Sequence, residues 1–217
     1  MDNTIFHAQG GGQPKDEGTM HSEDAEFEVE DITINGDHVS HVGKFKNLDN
    51  TFKVDQEVEQ KIDGQFRKKC ARIHSAGHLI DMAMEKTGYG HLEPGKGFHF
   101  PKGSYVEYIG VVDNEKREKL VEDLNTELKT IIDEVKEEDA MVAKVYSYEE
   151  AKETLGSVPP FFKEGSKVRI VKLCKDDKGC PCGGTHVKHI KDIKNIQVSK
   201  IQKKKKNTRI CYDVLDE

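Results

Sequence analysis

The stretch HSAGH, residues 74–78, places His74 and His78 four residues apart in a segment of helical periodicity. At that spacing both rings leave the same helix face one turn apart, close enough to share a metal ion. No Glu follows His74, so the His-Glu-x-x-His pattern of metalloproteases is absent. Far downstream, CGGTH (182–186) repeats the four-residue spacing with Cys182 and His186, but Gly183 and Gly184 between them argue for a tight loop whose backbone approaches a ligand. Three imidazoles and a thiolate are donor types that zinc accepts. Other readings compete for the same cysteines. Cys180 and Cys182 form Cys-x-Cys, and the chain has no Cys-x-x-Cys, which speaks against a redox couple. A zinc finger from Cys174, Cys180, Cys182 and His186 leaves His74 and His78 without a role. Cys182 activated by His186 is a nucleophile reading.

The elements that must position these residues fall into two regions. Over residues 1–62, AEFEVEDITI (25–34) and VSHVGKF (39–45) alternate around an NGDH turn, and EVEQKID (57–63) is a further strand. Before them, Gly10, Gly11 and Gly12 imply a loop in close approach to another group. Residues 63–217 change period. A helix is expected over 67–88, ended by TGYG, followed by a strand pair, GFHF and YVEYIGV, joined by PKGS. Leu120, Leu124, Leu128, Ile131 and Val135 then mark the core stripe of a long amphipathic helix. A strand (140–147), a short helix (148–156) and a strand (166–173) precede the cysteine-rich loop. NIQVSKIQ and TRICYDVL flank KKKKN as a C-terminal hairpin with a basic tip. The fold class expected is α+β: a small N-terminal β domain, 1–62, and an α+β domain, 63–217, with a long helix on a mainly antiparallel sheet.

Five cysteines, an odd number, make a poor disulfide framework and fit a reducing compartment, so a cytoplasmic protein is expected. Cys70 and Cys211 read as buried thiols, and His7, His91, His99 and His189 as surface or satisfied core histidines. No continuous apolar run has the length of a membrane span. The net charge is −6, yet residues 163–210 carry fifteen Lys/Arg against four Asp/Glu. That asymmetry suggests local contact with phosphates, with a solvated lysine-rich surface as the alternative.

TIFHAQGGGQP, HSAGH and CGGTHV, in this order, resemble the AlaX-type alanyl-tRNA editing proteins, relatives of the editing domains of alanyl- and threonyl-tRNA synthetases. The resemblance covers essentially the whole chain. It implies one zinc ion held by His74, His78, Cys182 and His186, beside the glycine-rich stretch, and hydrolysis of the ester between a wrong amino acid and tRNA. Gly11, Gly12, Gln13, Gly183, Gly184 and Thr185 become substrate-binding candidates, and HLEPGKGFHF (91–100) the loop that helps select the amino acid. Four protein ligands close a tetrahedral zinc. Either His186 stands off the metal to position water, the ion takes a fifth ligand, or it only organises the pocket. Cys182 and His186 are thus also the catalytic candidates. Serine on tRNA(Ala) is the expected substrate, glycine the next, because one hydroxyl separates serine from alanine and a synthetase pocket rejects such an isostere poorly. Another mischarged tRNA such as Ser-tRNA(Thr), or a non-catalytic tRNA-binding zinc module, are the alternatives. Lys188, Lys191, Lys194, Lys200 and Lys203 to Lys206 are expected at tRNA phosphates, on a monomer.

Overall fold

The computed structural model describes residues 1, 3–36 and 38–215. Its first sheet comprises β1 (Gly18–His21), β2 (Glu26–Asn35), β3 (His38–Phe45) and β4 (Glu59–Ile62), in the order β3-β2-β1-β4 and antiparallel throughout. A bulge between Val29 and Asp31 breaks the alternation in β2 and lets both Val29 and Ile32 face inward onto Phe6, Ala8 and Met20. Phe27, Phe45 and Phe52 close the core's flank, with ring centroids 4.9–6.1 Å apart. β1 carries no alternating signal, since only Met20 of its four residues is buried. Of the expected NGDH turn, Gly36 sits at φ 61, and Asp37 lies outside the described residues.

Helix α1 (Gly64–Met84) starts earlier than its apolar periodicity suggests, because the Asp63 carboxylate accepts the Gln65 and Phe66 N–H groups at 2.9 Å. A cap of this kind contributes about 1 kcal/mol. The helix leaves through a π-turn, Glu85–Tyr89, in which Gly88 takes φ 87. β5 (Glu93–Phe98) and β6 (Tyr105–Ile109) pair antiparallel around Gly103. β5 is displaced toward the N-terminus of the expected GFHF strand, and its bulge between Pro94 and Gly97 hides the alternation.

Helix α2 (Asn114–Glu134) buries Leu120, Leu124, Leu128 and Ile131, each worth about 2 kcal/mol in transfer terms. Val135, expected in that stripe, is the extended residue that ends the helix. β7 (Val142–Ser147) runs into α3 (Tyr148–Leu155) through a capping box between Ser147 and Glu150. β8 (Lys167–Lys172), β9 (Cys180–Pro181), β10 (Asn195–Lys204) and β11 (Asn207–Leu215) complete the chain.

The second sheet has the order β10-β11-β6-β5, with α1 and α2 packed on it around Leu79, Ile80, Leu124, Val198, Ile210 and Tyr212. The third, β7-β8-β9, holds α3 over Ala151, Val168 and Ile170. The class is α+β. Its strand ladders, among the described residues, are antiparallel. No helix among the described residues is long and apolar enough to cross a membrane. Cys70 is buried as expected, whereas Cys211 is only half-buried, because β11 turns its odd face toward the sheet's open side.

One contact fixes the N-terminal segment against α1. Asp16, 2% exposed, accepts two hydrogen bonds from Arg67, and its carboxylate also takes the His7 N–H at 2.6 Å. Arg67 spends a further donor on Ile5 O. The forked pair sets the position of the glycine turn that follows His7.

Candidate functional site

Helix α1 and the loop after β8 bring the two motifs face to face. The donor atoms of His74, His78, Cys182 and His186 lie within 4.8 Å of one another. Cys182 Sγ is 3.3 Å from His74 Nε2 and 3.3 Å from His186 Nε2. Bonds to a tetrahedral zinc separate neighbouring N and S ligands by about 3.5 Å, so these spacings fit such an ion. Cys174 and Cys180 stand outside the group of four. Cys174 is buried elsewhere, and Cys180 Sγ meets His78 Nδ1 at 3.0 Å.

The loop keeps its shape through three anchors. β9 pairs Cys180 with Val171 and Pro181 with Ile170. The Cys182 N–H donates to Arg169 O, and Arg169 Nη1 donates to the carbonyls of Cys182 at 2.6 Å and Gly184 at 3.0 Å. Gly184 has no room for a side chain: a Cβ there would lie 2.1 Å from His74 Cε1.

Gln13 is fully buried and ties all parts together. Its Oε1 accepts the Thr185 N–H at 2.9 Å and meets His74 Nδ1 at 2.8 Å, while Nε2 donates to Thr185 Oγ1. A carbonyl oxygen only accepts, so His74 carries its proton on Nδ1 and turns the Nε2 lone pair toward Cys182. The glycine turn makes this reach possible. Gly12 sits at φ 79, where a Cβ would lie 2.4 Å from Gly97 O. Ser75 Oγ accepts the Val187 N–H and meets His186 Nδ1 at 3.2 Å.

Burial, reinforced by the neighbouring imidazoles, holds His74 well below the usual histidine range. Burial pushes His78 down to about 4, against the pull of Asp177, and His186 down to about 2. The imidazoles are therefore neutral near pH 7, the form that ligates metal. Burial raises the Cys182 thiol, opposed by the Gly184 N–H and by Arg169.

His74, His78 and Cys182 line a cavity of about 1320 Å³, and His186 is not among its lining residues. Gly11 and Gly183 line it, as do Glu93 to Gly97 of the expected selection loop, whereas Gly12, Gln13, Gly184 and Thr185 are not among its lining residues and hold it from behind or beside. Lys188, Lys191, Lys194, Lys200 and Lys203 to Lys206 are also absent from its lining; Lys191 pairs with Glu137 at 2.6 Å. His99, 5% exposed, stacks on His74 at 4.3 Å and is satisfied by Tyr212 OH, which in turn donates to Ile73 O. His189 meets Lys136 O through Nε2 and accepts the Lys191 N–H.

Three residues at the site escape sequence reading. Asp81 lines the cavity one turn beyond His78 and accepts a 2.5 Å hydrogen bond from Tyr108 OH. Its spacing from His74, two helical turns, was the available signal. Arg169 and Ser75 had none beyond proximity to a motif.

Residues 1–66 match the family described as tRNA synthetases class II (A), and residues 168–210 match the threonyl and alanyl tRNA synthetase second additional domain. The chain is 33% identical over 191 residues to alanine-tRNA ligase 1 of Lachnoclostridium phytofermentans, covering 86% of this chain and 20% of that one. It is 30% identical to the alanyl-tRNA editing protein AlaX-M of Methanosarcina barkeri, over 99% of this chain and 87% of that one. To the AlaX-M protein of Pyrococcus horikoshii it is 31% identical, over 87% and 73%. The first of the curated relatives are longer, and the chain spans 20% to 48% of their length.

Proposed function

Because the chain belongs to the AlaX-type alanyl-tRNA editing proteins, we propose that it is a trans-acting aminoacyl-tRNA hydrolase that removes serine, and secondarily glycine, from tRNA(Ala). The observation that carries this reading is the convergence of the donor atoms of His74, His78, Cys182 and His186, with His74, His78 and Cys182 lining an open cavity. Zinc is the ion these donors suit best, and when bound it supplies Lewis acidity toward an ester carbonyl.

The chain's own residues do the rest. The ester is already activated, so the protein has mainly to hold it, admit one water and exclude alanine. Gln13 keeps His74 in one tautomer and one orientation. Arg169 pins the carbonyls of Cys182 and Gly184, so the Gly183 backbone, which is exposed to the cavity, can approach the substrate. His186, fixed between Ser75 and Cys182, is positioned either as fourth ligand or to hold the attacking water. A polar group meeting the seryl hydroxyl spares alanyl-tRNA, which lacks that partner.

The division of labour follows the two regions expected from the sequence: 1–62 delivers the glycine turn and Gln13, and 63–217 carries the four donors. The exposed Lys188, Lys191, Lys200 and Lys204 are proposed for the tRNA body, away from the cavity. A cytoplasmic location goes with this substrate. The deciding experiment is deacylation of Ser-tRNA(Ala) beside Ala-tRNA(Ala) by metal-quantified wild type and Cys182→Ala. Selective serine release that disappears in the variant is expected; intact ester with zinc-loaded wild type defeats the reading.

A further inference from the structure

The cavity has a second wall that the metal cluster does not use. It is formed by Ser157 to Phe162, in the connection from α3 to β8. Gly156 ends α3 at φ 77, and Pro159 with Pro160 restricts the chain that follows. Phe162 packs, partly buried, against the small core of Ala151, Val168 and Ile170. Its neighbour Phe161 remains 76% exposed, with its ring 4.7 Å from that of Phe162, and lines the cavity.

An isolated exposed apolar side chain calls for no explanation. Here, however, the same cavity is lined by Lys96, Lys167 and Lys172, which have no ion-pair partner among the described residues. Lys178 is already paired with Glu85, and Arg169 is committed to the loop carbonyls. Of the acidic groups in the lining, Glu107 is taken by Arg209 and Asp81 accepts the Tyr108 hydroxyl, which leaves Glu93. The balance favours an anion. The cavity, at about 1320 Å³, also exceeds the range of about 300–1,000 Å³ usual for a single small ligand.

An aromatic plate beside a partly buried neighbour, in an open groove that also presents unpaired ammonium groups, suits an unpaired nucleotide strand. Bases stack on the ring, and phosphates meet the lysines. We propose that Phe161 is the stacking platform for an unpaired base at the 3′ end of the tRNA, with Lys167 and Lys172 at the flanking phosphates. The strand then enters along the α3–β8 connection, not across the C-terminal lysine run. The identity of the RNA rests on the editing reading above; the stacking surface itself does not.

The test separates the two. Fluorescence anisotropy is measured with two labelled RNA hairpins of the same stem, one carrying an unpaired 3′ CCA end and one blunt. The proteins are wild type, Phe161→Ala, Phe161→Trp and the double variant Lys167→Gln/Lys172→Gln. Phe161→Ala should bind the unpaired end on the order of tenfold more weakly and leave the blunt hairpin unchanged, and Phe161→Trp should restore the preference. The double lysine variant should reduce the salt slope by about 1.4. Because Phe161 is largely exposed, its loss should not disturb folding, which a thermal melt verifies. Equal binding of both hairpins by wild type, or an unchanged preference in Phe161→Ala, overturns the proposal and leaves the plate to a protein partner. Hairpin discrimination that depends on Phe161, without any Ser-tRNA(Ala) hydrolysis, keeps this proposal and removes the editing reading. Hydrolysis by Phe161→Ala with unchanged KM does the reverse.

Discussion

Replacing Asp81 by Asn should stabilise the metal-free protein, and increasingly so as the pH rises. Burial pushes the Asp81 carboxyl from its ordinary 3.8 up to about 7; the Tyr108 hydrogen bond opposes the rise and Asp177 adds to it. The direction is opposite to that of a salt-bridged carboxylate. Between pH 4 and 7 the folded protein holds a proton that the unfolded chain has released, so stability falls as pH rises through that window and levels off above it. The difference between the two pKa values sets a cost of about 1.5 kcal/mol at pH 5 and about 4 kcal/mol at pH 8. The second figure is a ceiling, because Asp81 keeps one edge open to the cavity. Asn has the same shape, can still accept from Tyr108 and carries no charge to bury. Urea unfolding of chelator-treated wild type and Asp81→Asn at both pH values reads the difference directly, since contributions from the histidine cluster cancel within each pH. The gain should grow by about 2.5 kcal/mol from pH 5 to pH 8. Adding a divalent cation should shrink it, as positive charge one helical turn away favours the anion. A gain of equal size at both pH values, or a loss that deepens with pH, refutes the reasoning.

Other predictions address the donor set and its supports. Gly184→Ala puts a Cβ 2.1 Å from His74 Cε1, so the ring must move by more than 1 Å relative to ordinary contact; zinc stoichiometry after dialysis against a weak chelator should fall toward zero while the far-ultraviolet spectrum is retained, and full loading would count against the placement of His74. Gln13→Ala removes the acceptor at His74 Nδ1 and the anchor of Thr185, which should weaken metal binding about 10–100-fold in a chelator competition. Burial lowers the imidazoles and raises the thiol, so near neutrality the proton displaced by the metal comes from Cys182. Apparent affinity should therefore rise about tenfold per pH unit, and Cys182→Ala should abolish that slope. Asp16→Asn leaves the Arg67 guanidinium without its buried counter-charge; the expected cost, about 2–4 kcal/mol, is measurable by urea unfolding.

Local pattern carried much of the architecture. Leu120, Leu124, Leu128 and Ile131 recur at helical spacing, and a helix with one apolar stripe has few ways to bury it. The alternation in β3, and the paired runs around the lysine tip of the β10–β11 hairpin, are equally local, since a regular strand's faces alternate whatever it later pairs with. The donor types and spacings of His74 with His78 and of Cys182 with His186 are also visible in one dimension. Short elements were not: β1 and β9 hold too few residues to show a period, and Pro94 and Gly97 obscure the start of β5.

The supports of the site belong to a different scale. Gln13 reaches His74 across 61 positions and Thr185 across 172, and no periodicity connects residues so far apart. Arg169 faces Cys182 and Gly184 because β9 folds back on β8, and Phe161 meets the cavity beside Phe162, which packs partly buried against Ala151, Val168 and Ile170. Residue type and spacing can state which chemistry a chain could hold, since they fix donors and helix faces. Packing alone decides which of those groups become buried neighbours, and with that their charge, their tautomer and the open wall left for a partner.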